Sequence, residues 1–122
     1  HLNDRVKFLG FVPHAEMPQY LHVSDIFVRP SITEGFGNSY IEAMAARLPA
    51  IATPVGGIVD FLKDGETGLL CEVRNPRSIA QKVEKLIKDK ESRDYIIRNA
   101  EQMVKEKYDW KKIAGEMKRF FT

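Results

Sequence analysis

Short apolar runs alternate with segments of helical periodicity along the first part of this chain, and that alternation restricts the fold more than any other feature. The apolar runs, rich in β-branched residues or bounded by glycine or proline, are Val6–Leu9, Ile26–Val28, Ala50–Ala52 and Leu69–Val73. The segments with helical spacing between them are Glu16–Leu21, Ser39–Leu48 and Ile58–Leu62. Strands that alternate with helices pair in parallel within one sheet. The pattern therefore predicts an α/β fold, with a parallel sheet flanked by helices.

The last third of the chain predicts helices. Apolar residues recur at helical spacing over Arg77–Lys88, Glu91–Lys107 and Asp109–Phe121. Residues 1–122 contain no internal repeat and no linker long enough to divide them, so we expect one domain. Four strands make a thin sheet and the chain does not begin with methionine. We therefore interpret it as a fragment of a larger protein, with upstream strands preceding it.

Composition excludes several classes of protein. The 122 residues are 43% hydrophobic and 30% charged, as in one soluble globular domain, and the net charge of +2 is too small to argue for nucleic acid binding. Cys71 is the only cysteine, so we expect no internal disulfide and a cytoplasmic location. No apolar run approaches the roughly 20 residues of a membrane span. The basic C-terminal helices are interpreted as solvated surfaces, with docking on the inner face of a membrane as the alternative.

The segment from Arg29 to Glu42 carries the chemistry. It reads Arg-Pro-Ser-Ile-Thr-Glu-Gly-Phe-Gly-Asn-Ser-Tyr-Ile-Glu and leads from a strand, through a glycine-bearing turn, into a helix. A helix start gathers unpaired N–H groups and the positive end of the dipole, and so it can bind a phosphate. Glu34 in the turn and Glu42 inside the helix are acceptors suited to the hydroxyls on either side of a diphosphate. The pattern favours a nucleotide-sugar site over a helix capped by Asn38 with Glu42 on its surface.

The residues between the two carboxylates complete the candidate site. Gly35 and Gly37 remove side chains where a ligand must touch the backbone, and both can adopt a positive φ. The N–H groups of Asn38 and Ser39 then face the phosphates. Phe36 either walls the sugar pocket or packs into the core.

This segment resembles the signature of retaining glycosyltransferases with two Rossmann-like domains, the GT-B type, and most closely that of glycosyltransferase family 4. That family carries an apolar strand, Pro-Ser, then Glu-Gly-Phe-Gly and a second Glu eight positions after the first, as Glu34 and Glu42 stand here. Further matching motifs are Phe8–Val12, Glu42–Ala46, Thr53–Gly57 and Asp64–Leu70. The resemblance implies a Rossmann-like sheet that is the incomplete C-terminal, donor-binding half of a GT-B fold, with a helical C-terminus.

The resemblance also implies roles for the matching residues. Glu34 would contact hydroxyls of the transferred sugar and is the candidate catalytic residue. The nucleotide sugar would be bound by Phe11 and Val12 at the base, by Gly35, Phe36, Gly37, Asn38 and Ser39 around the diphosphate and sugar, and by Glu42 at the ribose. No metal and no cofactor other than the nucleotide-sugar donor is implied, and the sequence contains no Asp-x-Asp.

In the resembling family, an Arg and a Lys that neutralise the diphosphate lie upstream of residue 1, as does the acceptor-binding domain. A diphosphate beside Glu34 and Glu42 then lacks charge compensation, so we expect the chain alone to bind donor weakly and not to turn over. Arg29 is interpreted as a surface group at the end of a strand, a substitute phosphate ligand being the alternative. An apolar stripe from Trp110 to Phe121 predicts self-association of the fragment.

Three other functions stay open at this point. A nucleotide-sugar epimerase or phosphorylase with a related fold is disfavoured by the Glu-Gly-Phe-Gly turn. A dinucleotide-dependent oxidoreductase would need a third glycine where Tyr40 stands. A non-catalytic nucleotide-binding module is the third. The base, the sugar and the acceptor are not specified by the sequence.

Overall fold

The computed structural model describes residues 2–108. Its sheet is parallel, with β1 (Phe27–Arg29), β2 (Ala50–Ala52) and β3 (Leu69–Leu70) in that order. The helices are α1 (Met17–His22), α2 (Asn38–Ala45), α3 (Ile58–Phe61), α4 (Pro76–Lys88) and α5 (Lys90–Lys107), and 3-10 turns cover Leu2–Asp4 and His14–Glu16. The predicted α/β class with a parallel sheet flanked by helices is confirmed.

The central strand β2 supports a separate core on each face of the sheet, because successive side chains point to opposite faces. Ala50 and Ala52 belong to one cluster, whose other buried members come from α2, from α3 and the residue after it (Leu62), and from the second half of α5. Ile51 belongs to the second cluster, with Leu86 of α4 and Ile96 of α5. The two clusters hold α2 against one face of the sheet and α4 against the other.

The starts of α4 and α5 are set by side-chain caps. Asn75 accepts a hydrogen bond from the Ser78 N–H at 3.1 Å, and Asp89 accepts one from the Ser92 N–H at 3.0 Å. Each helix consequently begins one residue before the position that apolar spacing predicted. The predicted helix over residues 109–121 and the terminal apolar stripe lie outside the described residues.

The predicted strand at Val6–Leu9 is wrong, because this segment has no regular secondary structure. Phe8 is 94% exposed and Val6 is 50% exposed, so neither side chain is packed in the core. A strand takes its hydrogen bonds from a neighbouring strand, and within residues 2–108 no strand lies beside this segment. The strand predicted over Leu69–Val73 is also shorter than expected, although the Cys71 N–H still donates to the carbonyl oxygen of Ala52 at 2.8 Å.

Among residues 2–108, no helix is both long enough and apolar enough to pass through a bilayer.

Tyr40 connects α2 to the end of β1, and we expect its ionisation to lower the stability of the fold at alkaline pH. Its side chain is fully buried, and its hydroxyl donates to the carbonyl oxygen of Arg29. Burial raises the pKa of the Tyr40 phenol above its usual value, so the unfolded chain loses this proton first as pH rises. The stabilisation is therefore complete below about pH 10 and is lost as pH rises through the higher folded pKa.

We expect Tyr40→Phe to cost about 1 kcal/mol at neutral pH, for the lost hydrogen bond, and to flatten the alkaline decline. Urea unfolding at pH 7 and at about pH 11 measures both effects. Tyr95→Phe, at a ring that is 48% exposed, is the matched control. Equal alkaline declines in the wild type and in Tyr40→Phe would contradict this assignment.

Candidate functional site

Two loops meet at the carboxyl edge of the sheet, one after β1 and the other after β2. The parallel register brings the two strands to an end at the same level, so their loops leave the sheet side by side. The Thr53 hydroxyl donates to the carbonyl oxygen of Ser31, and the Gly57 N–H donates to the carbonyl oxygen of Gly35 at 2.9 Å. The first loop, which carries the predicted site, is therefore fastened to the second.

Gly56 and Gly57 allow these loops to touch through their backbones. A Cβ atom at Gly56, where φ is +56°, would lie 1.8 Å from the carbonyl oxygen of Glu34. A Cβ atom at Gly57 would lie 2.7 Å from the carbonyl oxygen of Gly35. No side chain fits at this approach, so the glycine pair determines where the backbone of Glu34 lies. Both glycines stand in the Thr53–Gly57 motif, but the sequence did not show that the backbone of Glu34 and Gly35 lies against them.

The N-terminus of α2 is free of side-chain caps within the described part of the chain. Gly37 is the residue before the helix, and Asn38 is the first helical residue, so the alternative in which Asn38 caps the helix is wrong. The N–H groups of Asn38 and Ser39 have no acceptor within the helix and stand at the positive end of its dipole. The predicted anion-binding amides are therefore available at this helix start.

The two glycines of the first loop differ from each other. Gly37 adopts the predicted positive φ, at +88°, whereas Gly35 does not. A Cβ atom at Gly37 would lie 2.8 Å from Cδ1 of Ile58 and 3.1 Å from Cδ2 of Tyr40. Core side chains therefore fill the space where a Gly37 side chain would lie, and contact between the Gly37 backbone and a ligand stays a prediction. A Cβ atom at Gly35 would meet nothing within 4 Å, so the open backbone position is Gly35.

The side chain of Glu34 is held at the edge of this site. It is 13% exposed, and its Oε2 accepts a hydrogen bond from the Ser31 hydroxyl at 2.8 Å. Nε of Arg29 lies 3.5 Å from the same oxygen, and Nη1 of Arg29 donates to Oγ of Ser39 at 2.8 Å. Arg29 therefore connects the first predicted carboxylate to the start of α2, a connection that the interpretation as a simple surface group missed.

Glu42 lies one turn inside α2, on the side of the helix that faces Arg29. Its side chain is 40% exposed, and its Oε1 lies 2.9 Å from Nε2 of His14. Glu42, Ser39 and Arg29 line one cavity of about 260 Å³. The apolar residues that complete the lining are Met17, Leu21, Phe27 and Val28. Arg29 therefore pairs with one predicted carboxylate, Glu34, and shares a cavity with the other, Glu42, at a single helix start.

Phe11 and Val12 are not brought into this cluster. They lie in the irregular segment before His14, and Phe11 is 91% exposed. Their contact with the nucleotide base stays a prediction.

Phe36 packs against the core, which is one of its two predicted roles, and its place in the wall of the sugar pocket stays a prediction. Its ring centroid lies 6.2 Å from that of Phe61 and 5.6 Å from that of Tyr108, which ties the turn to the core. The side chain nevertheless stays half exposed, beside the open position at Gly35.

Nowhere in residues 2–108 do three or more His, Cys, Asp or Glu side chains gather to hold a metal ion.

A parallel sheet with an uncapped helix start and two carboxylates at its carboxyl edge is typical of α/β domains that bind phosphate-containing ligands. Residues 1–103 match the family model of the glycosyl transferases group 1, and the chain belongs to that family.

One curated relative is the N-acetyl-alpha-D-glucosaminyl L-malate synthase of Bacillus anthracis. It is 35% identical over 121 residues, which cover 99% of this chain and 31% of the relative. The chain spans about a third of the length of the curated relatives that it matches.

Solved structures agree with the family assignment. Sucrose-phosphate synthase from Thermosynechococcus elongatus superimposes with a TM-score of 0.89 at 32% identity, covering 98% of this chain and 30% of that one. Anabaena HepE in complex with UDP-glucose also gives a TM-score of 0.89, at 28% identity, covering 98% of this chain and 33% of that one. These neighbours are GT-B glycosyltransferases, which confirms the recognised fold.

Proposed function

We propose that this chain is the donor-binding part of a retaining glycosyltransferase of family 4, which transfers a sugar from a nucleoside diphosphate to an acceptor. The observation that carries the proposal is the position of Arg29, which pairs with Glu34, donates to Ser39 and shares a cavity with Glu42 beside the free amides of α2. The complexes of Anabaena HepE with UDP and with UDP-glucose support a nucleotide-sugar donor.

Each part of a nucleotide sugar has a chemical partner at this edge. The diphosphate accepts hydrogen bonds from the N–H groups of Asn38 and Ser39, where the helix dipole favours negative charge. The ribose hydroxyls donate to Glu42, and the hydroxyls of the sugar donate to Glu34. Binding at both ends orients the bond between the anomeric carbon and the diphosphate, and the amides stabilise the charge that develops on the leaving group. Glu34 orients the sugar in this proposal and is not assigned as a nucleophile.

The proposal extends to the surroundings of the site. The chain is one domain, and an acceptor-binding domain together with the Arg and Lys that neutralise the diphosphate precede it in the whole protein. Alone, the chain binds donor weakly and does not turn over. Transfer requires neither metal nor further cofactor, and the enzyme works in the cytoplasm. The named relatives are synthases and transferases, which does not favour an epimerase or a non-catalytic module.

Titration calorimetry of the whole protein with UDP, GDP and ADP tests the proposal. We expect one of these nucleotides to bind, and Glu42→Gln to lower its affinity about tenfold, because the amide is a weaker acceptor for the ribose hydroxyls than the carboxylate. Glu66→Gln removes an equal charge at an exposed carboxylate and should leave the affinity unchanged. Failure of all three nucleotides to bind would refute the proposed function, and an unaltered Glu42→Gln would refute the ribose assignment.

A further inference from the structure

Both protein contacts of the Glu34 carboxylate fall on one of its two oxygens. The Ser31 hydroxyl donates to Oε2 at 2.8 Å, and Nε of Arg29 lies 3.5 Å from Oε2. Among residues 2–108, Oε1 has neither a hydrogen bond nor an ion pair with the protein. A carboxylate offers about four lone-pair sites, so Oε1 keeps its full capacity to accept from a ligand.

The two groups that hold Oε2 are themselves held. The carbonyl oxygen of Ser31 accepts from the Thr53 hydroxyl, and the Ser31 N–H donates to the carbonyl oxygen of Arg29 at 3.0 Å. That same Arg29 carbonyl accepts from the Tyr40 hydroxyl, while the guanidinium donates to Ser39. Glu34 is consequently braced against the end of β2 and against α2 at once.

The entropic cost of binding a ligand is lower for a carboxylate that the protein already holds in place than for a mobile surface glutamate. A flexible glutamate side chain loses conformational entropy when a ligand orders it, and a side chain that is already ordered avoids that cost.

We propose that Arg29 and Ser31 are positioning residues, which fix Oε2 of Glu34 and thereby direct Oε1 to a hydroxyl of the transferred sugar. The proposal rests on the proposed function, and it deepens that function by separating the anchored oxygen from the substrate-facing one.

The test compares a nucleotide sugar with its nucleoside diphosphate in the whole protein. The probes are UDP-glucose, UDP-N-acetylglucosamine and GDP-mannose, with UDP and GDP as the sugar-free partners. For the sugar nucleotide that binds most tightly, the affinity ratio to its diphosphate should fall about three- to tenfold in Arg29→Gln and in Ser31→Ala. Affinity for the diphosphate alone should stay within about twofold, because the amides of α2 are untouched.

Two further variants separate positioning from a general loss of structure. Arg29→Lys keeps the charge and should restore part of the ratio, whereas Arg98→Gln removes a charge from the exposed surface of α5 and should leave the ratio unchanged. In a Glu34→Gln background, Arg29→Gln should have no further effect on the ratio, since Arg29 acts through Glu34.

The outcomes distinguish this proposal from the proposed function. An equal loss of affinity for the diphosphate and for the sugar nucleotide would place Arg29 on the phosphates and overturn the positioning role, as would an unchanged ratio. Urea unfolding without ligand tests the contact itself, because Arg29→Gln and Glu34→Gln should be non-additive. Additive effects would overturn the proposal, whereas coupled effects in a protein that binds none of the probes would overturn the proposed function and leave the contact intact.

Discussion

Replacement of Glu34 by glutamine should lower the rate of sugar transfer about 100-fold or more while leaving affinity for the free nucleoside diphosphate within about threefold. Glutamine keeps the size of the side chain and can still accept from Ser31, so the loop should stay in place. In the proposed function, what is lost is the negative charge of the carboxylate that accepts from a sugar hydroxyl. An interaction that aligns the reacting bond acts on the rate, because a small misplacement of the reacting atoms costs about two orders of magnitude.

Release of nucleoside diphosphate from the donor by the whole enzyme measures the rate, and calorimetry measures the affinity. Glu66→Gln is the matched control, since it removes the same charge from an exposed residue outside the site. Equal losses of rate and of diphosphate affinity in Glu34→Gln would show that Glu34 contributes to general binding and not to orientation of the sugar.

Replacement of Gly56 by alanine should destabilise the fold by about 2–4 kcal/mol. Two costs combine at this position. The backbone has a φ of +56°, which disfavours any residue with a Cβ, and the Cβ would lie 1.8 Å from the carbonyl oxygen of Glu34. Relief of that clash requires the two loops to separate, which moves Glu34 from the start of α2. Sugar transfer should therefore fall even at temperatures where the variant is folded.

Gly65→Ala isolates the conformational cost from the clash. Gly65 has a φ of +78°, and a Cβ atom there would meet nothing within 4 Å. We expect a loss of only about 1 kcal/mol at this control position. The difference between the two alanine variants, measured by urea unfolding, is the cost of separating the loops. Equal losses at both positions would contradict a backbone contact between the two loops.

The fold was predictable wherever the signal is local. Helical spacing located α2, α4 and α5, because the apolar face of a helix repeats along the chain regardless of its partner. The strand at Val6–Leu9 was not predictable in the same way, since β propensity forms a strand only where another strand supplies hydrogen bonds. This segment is apolar, as the sequence shows, but the strand conformation predicted for it was wrong.

In the candidate site, too, the local features could be predicted from the sequence and the long-range contacts could not. Glu34, Glu42, Asn38 and Ser39 could be selected from their spacing, because a turn followed by a helix places them by local geometry. The contacts that hold Glu34 could not be predicted, because nothing in the sequence pairs Arg29 with the carboxylate of Glu34 and the hydroxyl of Ser39.

The sequence by itself determined that this chain forms a parallel α/β sheet, and which turn and helix start carry the amides and acids of the proposed nucleotide-sugar site. Only the tertiary structure decided that Gly56 sets the backbone of Glu34, that core side chains fill the space beside Gly37, and that Arg29 pairs with Glu34 and shares a cavity with Glu42. The physical reason is that local patterns and tertiary contacts act over different separations along the chain. Periodicity and turn chemistry act within a few residues, whereas contacts between the loops after β1 and β2 exist only once the register of the two strands has placed them side by side.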